Sequence, residues 1–513
     1  MSSKHYDIII IGTGAGGGTL LHKLAPSGKS ILVLERGQFL PREKANWDTR
    51  EVFHKERYHT GEIWFDAEGR GLRPGTGYWV GGNTKVYGAA LLRLRREDFG
   101  EVTHRDGLSP AWPLSYLDFE PYYCQAEKLY HVHGRRGDDP TEPDMSSDFP
   151  LPPVSHEPRI QELHDKLRSN GFSPFHVPLG IRLNEENPRK SACIRCDTCD
   201  GFPCLVDAKA DSDLTCVRPA LSHSNVTLLT GAKVKRLLTD PKGRSVSQVE
   251  ATIEGRLERF KAGLVVVSCG AINSAALLLA SANDRHPAGL ANGSDWVGRG
   301  FMKHNNAAMV GLSRRRNDTV FQKTLAINDF YWGEKNYAFP MGHVQLLGKV
   351  NKDMMALDAP SLAPGIALDE IAHHSVDWWL TGEDLPDPDN RVRLNHGKIV
   401  LHYRSNNDES FDRLLNRWTE TVKAVDCGDR ILPCSLYMRK KIPLQAVAHQ
   451  CGTIRFGNDP KTSVLNTDCR THEVDNLYVV DGSFFPSSGA VNPSLTIMAN
   501  ALRVGEHLLE RLG

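Results

Sequence analysis

The chain has 513 residues, too many for one compact core, so we expect two or three domains. Lys and Arg number 62, as do Asp and Glu, and this balance gives no electrostatic reason to expect nucleic acid or an anionic membrane as a partner. The N-terminus lacks the pattern of a secretory signal, and polar residues interrupt the most apolar later stretch, 263–282. We therefore expect a cytoplasmic protein with no membrane span.

The first 37 residues have the pattern of a dinucleotide-binding unit. The apolar run 6–11 predicts a buried parallel strand, and a second strand is predicted over 30–35. Between them, a helix that begins near Ala15 directs its N-terminus at phosphate groups, and Glu35 is placed to accept hydrogen bonds from a ribose hydroxyl. Three glycines with G-x-G-x-x-G spacing precede or open this helix: Gly12, Gly14 and Gly17. The unit suits FAD or NAD rather than NADP, whereas a glycine-rich turn without a ligand would not account for the ordered pattern.

A second glycine-dense segment spans 71–88, where Gly82 and Asn83 follow an apolar run. Small residues there suit the close approach of a flat ligand, and an ordinary turn is the alternative. Residues 101–190 are rich in Pro, Asp and Glu and show little periodicity. We expect irregular structure there, with helices near 117–130 and 158–170.

A cysteine-rich segment follows. Its cysteines have C-x2-C-x2-C-x4-C spacing: Cys193, Cys196, Cys199 and Cys204. This is close to an iron–sulfur ferredoxin run but has one residue too many before the last cysteine. Acidic residues at Asp197, Asp200 and Asp207 crowd the segment. An iron–sulfur or zinc site and a loop of buried or paired thiols are both open interpretations.

Residues 226–238 and 264–281 return to strand and strand–helix patterns, which indicates that the nucleotide-binding sheet resumes there. Residues 310–445 then suggest an antiparallel sheet with helices on one side, as expected for a substrate domain. Within it we predict a strand at 344–347, a hairpin over 387–403 and an amphipathic helix over 408–426.

The last seventy residues combine a histidine with a strand, a loop and a long helix. His449 lies in a glycine-containing segment, and a buried strand ends at Asp481. Asn492, Ser494 and Thr496 at the start of the terminal helix could present hydrogen-bond donors to a cofactor ring. A plain helix cap is the alternative for Asn492, and a hydrogen-bonded core histidine is the alternative for His449.

Five segments, in this order, resemble the glucose–methanol–choline (GMC) oxidoreductases: IIIIGTGAGGG…LVLERG, WVGGNTKVYG, VVVSCGAINSAALLLAS, HQCGTIRFGNDP and NLYVVDGSFFPSSGAVNPSLTIMA. The closing segment is most similar to pyranose oxidases and related bacterial sugar and C-glycoside 3-oxidases. The resemblance implies an α/β protein with a Rossmann-like FAD-binding domain and a substrate domain built on an antiparallel sheet with helices, as in p-hydroxybenzoate hydroxylase. We assign residues 1–100, 190–309 and 441–513 to the first domain, and residues 101–189 and 310–440 to the second.

The resemblance also implies roles for individual residues. His449 and Asn492 match the family's catalytic pair, in which a histidine near its ordinary pKa of about 6.5 takes the hydroxyl proton while hydride passes to flavin N5. The asparagine holds the hydroxyl in line. Gln345 and Val447 match substrate-contacting positions, and no metal ligand is implied. The residues implied for FAD are Gly12, Gly14, Ala15, Gly17, Glu35, Gly82, Asn83, Val234, Asp481, Asn492 and Pro493.

Two departures from the family pattern are visible. The position at which fungal pyranose oxidases tether FAD through a histidine is Val86 here, so we expect FAD to be bound non-covalently. A proline common at the start of one family helix is replaced at Ser274–Ala275, which leaves that helix start less rigid.

The function that we expect is FAD-dependent oxidation of a secondary hydroxyl, at ring carbon 2 or 3, of a pyranose sugar or of a C- or O-glycoside. Oxygen or another electron acceptor would reoxidise the flavin. One alternative is a GMC oxidase or dehydrogenase of a non-sugar alcohol. Another is an electron-transfer subunit with an iron–sulfur cluster in the segment from Cys193 to Cys204. A nicotinamide-dependent dehydrogenase would need a second Rossmann-type site, which the sequence does not show.

Overall fold

The structure, a computed structural model, describes residues 5–357, 365–427, 440–446 and 448–513. Its α-helices are α1 (Ala15–Leu24), α2 (Tyr116–Leu129), α3 (Pro158–Ser169), α4 (Arg218–Ala220), α5 (Ala271–Ala280), α6 (Lys352–Met355), α7 (Gly365–His374), α8 (Asp408–Val422) and α9 (Ser494–Leu512). Its strands are β1 (His5–Ile11), β2 (Ile31–Leu34), β3 (Trp64–Asp66), β4 (Gly71–Leu72), β5 (Val102–His104), β6 (Gly107–Ser109), β7 (Val132–His133), β8 (Phe175–His176), β9 (Leu179–Gly180), β10 (Val226–Leu229), β11 (Lys233–Thr239), β12 (Val246–Ile253), β13 (Arg256–Val267), β14 (Asn305–Leu312), β15 (Leu325–Ile327), β16 (His343–Leu346), β17 (Ser375–Gly382), β18 (Arg391–Asn395), β19 (Lys398–His402), β20 (Lys440–Lys441) and β21 (Leu477–Val479).

The first sheet is the predicted nucleotide-binding sheet. Its strands run in the order β10-β2-β1-β13-β12-β11, and β21 pairs with β13. Residues 8–11 of β1 pair in parallel with 31–34 on one side and with 264–267 on the other. These strands read as unbroken apolar runs because both faces of a parallel sheet are covered, here by helices such as α1, which packs against α9. The predicted strand–helix–strand unit and the return of the sheet are thus confirmed.

Strand β13 joins two kinds of pairing. Its first residues pair antiparallel with β12, whereas residues 261–267 pair in parallel with β1. The parallel sheet therefore continues into an antiparallel ribbon of β11 and β12. This ribbon brings Val234 to the edge of the nucleotide-binding sheet.

The second sheet is antiparallel, as predicted for the later part of the chain. Its order is β20-β14-β17-β16-β15-β8. Trp378 of β17 and Trp418 of α8 are fully buried, and their rings meet edge to face at 4.7 Å between centroids. Helix α8 thus covers one face of this sheet, because its apolar stripe is the side that packs on the strands.

The predicted hairpin over 387–403 forms, as β18 and β19, but it joins a different sheet from the one expected. Strand β19 pairs in parallel with β3, where Val400 lies opposite Phe65, and a four-stranded sheet of order β18-β19-β3-β4 results. Alternating apolar residues encode a strand and the face it buries, but they do not encode the edge on which it pairs. The hairpin therefore contributes to the wall of the cavity described below and not to the six-stranded sheet.

The helices predicted near 117–130, 158–170 and 408–426 correspond to α2, α3 and α8, and the strand predicted at 344–347 corresponds to β16. The domain boundaries drawn from the sequence remain predictions. Across the described ranges, no helix combines the length and the apolar character that a membrane crossing requires.

Candidate active site

A cavity of about 950 Å³ opens at the carboxyl end of β1 and extends to β16. This volume lies at the upper end of the range of roughly 300–1,000 Å³ that is typical of small-molecule sites. The predicted site residues in its wall are Gly12, Gly14, Ala15, Glu35, Gly82, Asn83, Val234, Gln345, His449, Asp481, Asn492 and Pro493. Gly17 lies behind this wall, and Val447 falls outside the residues that the structure describes.

The turn after β1 requires glycine for two different reasons. Gly12 has a φ of +96°, and a Cβ there would lie 2.3 Å from the carbonyl oxygen of Ser268. A Cβ on Gly17 would lie 2.1 Å from the carbonyl oxygen of Gly12. Gly12 thus permits the turn, and Gly17 permits α1 to pack closely against it.

Gly14 differs from these two glycines because its missing side chain leaves open space. A Cβ on Gly14 would meet no protein atom within 4 Å, although the residue lies in the cavity wall directly before α1. The first turn of α1 carries no acidic side chain. Its free backbone N–H groups therefore favour an anionic group at this point of the cavity.

Glu35 is tied to the same turn through Thr13. Its Oε2 atom accepts hydrogen bonds from the Thr13 backbone N–H at 3.0 Å and from the Thr13 hydroxyl at 2.6 Å, and its Oε1 atom accepts from the Gly37 N–H at 2.8 Å. Burial raises the pKa of Glu35, while these bonds act in the opposite direction. The hydroxyl of Thr13 also accepts from the Gly81 N–H at 3.0 Å. Thr13 was missed in the sequence because it is a variable position of the glycine pattern.

The second glycine segment packs on the first. Gly81 and Gly82 both have positive φ, and a Cβ on Gly82 would lie 3.0 Å from the Cα atom of Gly14. The side chain of Asn83 accepts hydrogen bonds from the Thr76 hydroxyl and the Gly77 N–H. The two glycine segments therefore form one continuous part of the cavity wall.

Asp481 joins the end of the last parallel strand to the start of α5. Its Oδ2 atom accepts hydrogen bonds from the Gly270 N–H at 2.9 Å and from the Ser274 hydroxyl, and its Oδ1 atom accepts from the backbone N–H of Ser483 at 2.9 Å. Burial raises the pKa of this carboxyl group. Ser274, the residue before Ala275, therefore fastens the start of α5 through its hydrogen bond to Asp481.

His449 and Asn492, which are distant in sequence, lie in the same cavity wall. Asn492 directly precedes Pro493, the N-cap residue of α9. The Nδ1 atom of His449 and the Oδ1 atom of Asn492 are both buried without a hydrogen-bond partner. Unpartnered buried polar atoms are costly in a folded protein, and in a cavity wall they are available to a ligand.

The pKa of His449 differs from the expectation of an ordinary value. Burial, and then the neighbouring imidazole of His304, lower it to about 3, so the ring is neutral at neutral pH. The two rings meet edge to face at 5.1 Å between centroids. His304 lies in no motif that the sequence made conspicuous, and only the fold reveals it.

Gln345 of β16 also lies in the cavity wall, and its contact with substrate stays a prediction. Its Oε1 atom lies 3.0 Å from Nε2 of His343, whose Nδ1 atom lies 2.7 Å from the Oδ1 atom of Asn328. These contacts link Gln345 to His343 and Asn328. Trp379 of β17 lies in the same wall and offers an aromatic surface to a substrate.

Part of the cysteine-rich segment borders the cavity through Asp197, Asp200 and Gly201. The carboxylate of Asp200 pairs with Lys323, whose side chain is 2% exposed, and accepts a 2.6 Å hydrogen bond from the Gly348 N–H. Lys323 also donates to the carbonyl oxygen of Gly88. This buried pair joins three separate stretches of the wall, and no local pattern in the sequence signalled it.

The four cysteines of the segment are free thiols, of which Cys193 and Cys199 are buried. Burial raises the pKa of both thiols, to about 12 for Cys193. Within the part of the chain that the structure describes, no group of three or more His, Cys, Asp or Glu side chains is arranged to hold a metal ion. The electron-transfer alternative therefore stays a prediction.

The residues of the cavity fit a dinucleotide that carries a flat ring system. Gly14 leaves space where a pyrophosphate would meet the first turn of α1, and unpartnered polar atoms of His449 and Asn492 lie in the wall of the same cavity. Val234, Leu277 and Ala280 supply apolar surface on the wall formed by β11 and α5. A Rossmann-type sheet with this turn defines a dinucleotide-binding protein.

Comparison with known proteins agrees with this class. Sequence models of the GMC oxidoreductase family match residues 6–306 and 386–501. The chain is 30% identical over 532 residues to the 6‴-hydroxyparomomycin C oxidase of Streptomyces lividus, covering 100% of this chain and 92% of that protein. It is 30% identical over 513 residues to the paromamine 6′-oxidase of Streptomyces fradiae, covering 97% of this chain and 90% of that protein. The fold is similar to that of pyridoxine 4-oxidase from Mesorbium loti, with a TM-score of 0.69 and 17% identity over 98% of this chain and 99% of that one.

The chain therefore belongs to the GMC oxidoreductase family and is an oxidoreductase. Its α/β architecture, with a Rossmann-like FAD-binding fold, agrees with the prediction from the sequence. Membership of this family implies FAD as the cofactor.

Proposed function

We propose that this protein uses FAD to oxidise a hydroxyl group of a sugar-like substrate, with His449 as the base and Asn492 as the group that orients the hydroxyl. One observation carries the proposal. His449 and Asn492 present unpartnered polar atoms in the wall of the cavity that also contains the dinucleotide-binding turn. The two Streptomyces relatives, whose names describe oxidases of aminoglycoside compounds, support a sugar-like substrate.

FAD, when bound, supplies a two-electron acceptor for the hydride of the oxidised carbon. The first turn of α1 at Gly14 and Ala15 would hold its pyrophosphate, and Val234 would contact its adenine side. The flavin would be bordered by Gly82, Asn83, Asp481 and the Asn492–Pro493 pair. Val86 has no side-chain nucleophile at the expected tether position, which supports non-covalent binding of the cofactor.

The proton of the substrate hydroxyl goes to the imidazole of His449. Because the pKa of His449 is lowered by burial, its ring is neutral at pH 7 and has a lone pair available. The amide of Asn492 binds the same hydroxyl without competing for its proton, because an amide does not titrate in this range. Together these groups hold the substrate so that the C–H bond of the carbon bearing the hydroxyl is directed at the cofactor side of the cavity.

Gln345 and Trp379 bind the remainder of the substrate, by hydrogen bonding and by contact with a ring face, respectively. Oxidation at ring carbon 2 or 3 remains our prediction. The names of the two relatives give other positions, 6‴ and 6′, so the oxidised position has to be mapped on each reactive substrate. Oxygen is the proposed final electron acceptor.

The proposal is tested by anaerobic flavin bleaching. Purified protein with bound FAD is mixed with glucose, xylose, paromamine, a C-glycoside and simple alcohols, and the products of reactive substrates are mapped by NMR. Sugar-like substrates should bleach the flavin, and air or an artificial dye should then restore it. Bleaching by simple alcohols alone would instead favour the non-sugar alternative, and absence of flavin from the purified protein would contradict the proposal.

A matched pair of variants tests the catalytic assignment. His449→Ala should slow flavin reduction by about 10²- to 10⁴-fold while FAD content and the oxidised flavin spectrum stay unchanged. His133→Gln removes another buried histidine, whose ring nitrogens contact the backbone carbonyls of Pro152 and Ile181, and serves as the control. Equal rates in His449→Ala and the control would remove the role of His449.

Acid denaturation should release all of the flavin into the supernatant if it is bound non-covalently.

A further inference from the structure

A second histidine, His304, packs against His449, the proposed base. Its side chain is completely buried, and its ring meets that of His449 edge to face, with 5.1 Å between centroids and an angle of 83° between planes. His304 is absent from the cavity wall, so its ring contacts His449 and not the cavity. The imidazole of His449 thus packs against the ring of His304.

The same ring contacts the segment that carries Asn492. Nε2 of His304 lies 3.2 Å from the carbonyl oxygen of Ser488, four residues before Asn492. A carbonyl oxygen only accepts, so Nε2 carries the proton and donates it, and Nδ1 is the unprotonated nitrogen of a neutral ring. Gly489, the next residue, is held separately by the carboxylate of Glu383, which accepts a 3.1 Å hydrogen bond from its backbone N–H.

The backbone at His304 is held in an unusual conformation. Its φ is +60°, a left-handed value that is uncommon for a residue other than glycine. Met302 and Cys451 exchange two 3.0 Å backbone hydrogen bonds, and the Lys303 N–H donates to the Asp384 carboxylate at 2.8 Å. The first two bonds tie the backbone before His304 to the segment that follows His449, and the third ties it to Asp384. Strained residues that the surrounding structure fixes in this way are concentrated at functional sites.

We propose that His304 is a positioning residue that holds both members of the catalytic pair, His449 through the contact between their rings and Asn492 through the carbonyl of Ser488. This inference rests on the proposed function of His449 and Asn492. The Nδ1 atom of His304 is buried without a partner, a cost that a purely structural apolar side chain would avoid. The neutral imidazole retains the donor that Ser488 requires and adds no charge beside the base.

The proposal has a consequence for pH dependence. The pKa of His304 is lowered to about 4, mainly by burial, so it takes up a proton before His449 as the pH falls. The positive charge then formed against His449 opposes its protonation. The charged and titratable groups near His304 are His449, Lys303, Glu383 with its partner His104, and Asp384 with its partner Tyr403.

Two variants separate the two contacts. His304→Gln keeps an N–H donor near the position of Nε2 but removes the ring, whereas His304→Phe keeps the ring and removes the donor. Each should reduce the rate constant for flavin reduction by about tenfold to a hundredfold, because small misplacements of reacting groups have effects of this size, with a smaller change in KM. In His304→Gln the acid limb of the pH profile should also move to higher pH, because His449 loses a neighbour that lowers its pKa. His133→Gln is the control and should leave the profile unchanged.

A measurement independent of activity accompanies these variants. Histidine-selective ¹⁵N NMR of the holoenzyme should show a neutral ring protonated at Nε2 at pH 7. The resonance is assigned by its loss in His304→Gln or, if that variant does not fold, in His304→Phe. A charged ring or an Nδ1–H tautomer would overturn the proposal even if a variant failed to fold. So would variants that reduce flavin within about twofold of the wild-type rate with an unchanged pH profile. Failure of the wild-type protein to reduce flavin with any substrate would instead contradict the proposed function itself.

Discussion

The hydroxyl of Thr13 donates a 2.6 Å hydrogen bond to the buried carboxylate of Glu35. The same oxygen accepts from the backbone N–H of Gly81 at 3.0 Å, so one side chain joins the first turn of the nucleotide-binding unit to the second glycine segment. Both glycine segments border the cavity. The relative position of two parts of the cofactor site thus depends on a residue that contributes only a hydroxyl group.

Thr13→Val should weaken FAD binding and stability together. The change leaves the Gly81 N–H without its partner and removes one bond to a carboxylate, which has a cost of about 1–3 kcal/mol. Titration of the FAD-free protein with FAD should show an affinity about tenfold lower or more. Thr13→Ser keeps the hydroxyl and should bind within about threefold of the wild type, and equal loss in both variants would contradict the assigned role of the hydroxyl.

Gly14 and Gly17 should respond differently to alanine. The added Cβ of Gly14→Ala meets no protein atom within 4 Å, so the FAD-free protein should unfold at the wild-type temperature while its FAD affinity falls sharply. The Cβ of Gly17→Ala would lie 2.1 Å from a carbonyl oxygen, so that variant should lose stability even without FAD. Thermal unfolding and FAD titration of both variants check this contrast. Wild-type FAD affinity in Gly14→Ala would argue against a pyrophosphate at this turn.

The stability of the protein should fall in mild acid because buried histidines are held neutral. Burial lowers the pKa of both His304 and His343 to about 4, below the value of about 6.5 in the unfolded chain. Below pH 6.5 the unfolded state therefore binds protons that the folded state does not, and stability present above pH 6.5 is lost as the pH falls towards 4. Each histidine should remove about 2 kcal/mol from the free energy of unfolding between pH 7 and pH 5.

Denaturant unfolding at the two pH values measures this loss, and His343→Gln supplies the comparison. His343 is hydrogen-bonded between Asn328 and Gln345 and has no exposed surface. In His343→Gln, the difference between the free energies of unfolding at pH 7 and at pH 5 should be smaller by about 2 kcal/mol. A difference as large as that of the wild type would mean that folding does not lower the pKa of His343.

Lys323→Met should impair both stability and substrate binding. It leaves Asp200 without its cation in the cavity wall, and loss of one partner from a buried pair costs about 3–5 kcal/mol. Because Gly88, Asp200 and Gly348 all border the cavity, KM should rise along with the loss of stability. Arg315→Met breaks the pair of Arg315 with Glu162, in which the arginine side chain is 68% exposed, and should change stability by less than about 1 kcal/mol. Similar losses in the two variants would contradict a special role for the buried pair.

Local sequence patterns predicted those parts of the structure that depend on neighbours along the chain. The spacing of Gly12, Gly14 and Gly17 and the apolar runs beside them fix a strand, a turn and a helix, because each requirement is met within a few residues. The hairpin over 387–403 was likewise visible. Its pairing with β3 was not, since alternating residues do not specify the partner of an edge strand.

Patterns along the chain thus predicted the nucleotide-binding unit, the two sheets and, through resemblance to a family, His449 and Asn492 as the candidate pair. The folded arrangement was needed to show that Thr13 links two glycine segments, that Lys323 pairs with Asp200 and that His304 lies against His449. These side chains act through partners that are remote in the chain. Such contacts arise from the packing of whole sheets and helices, for which no short stretch of sequence carries a periodic signal.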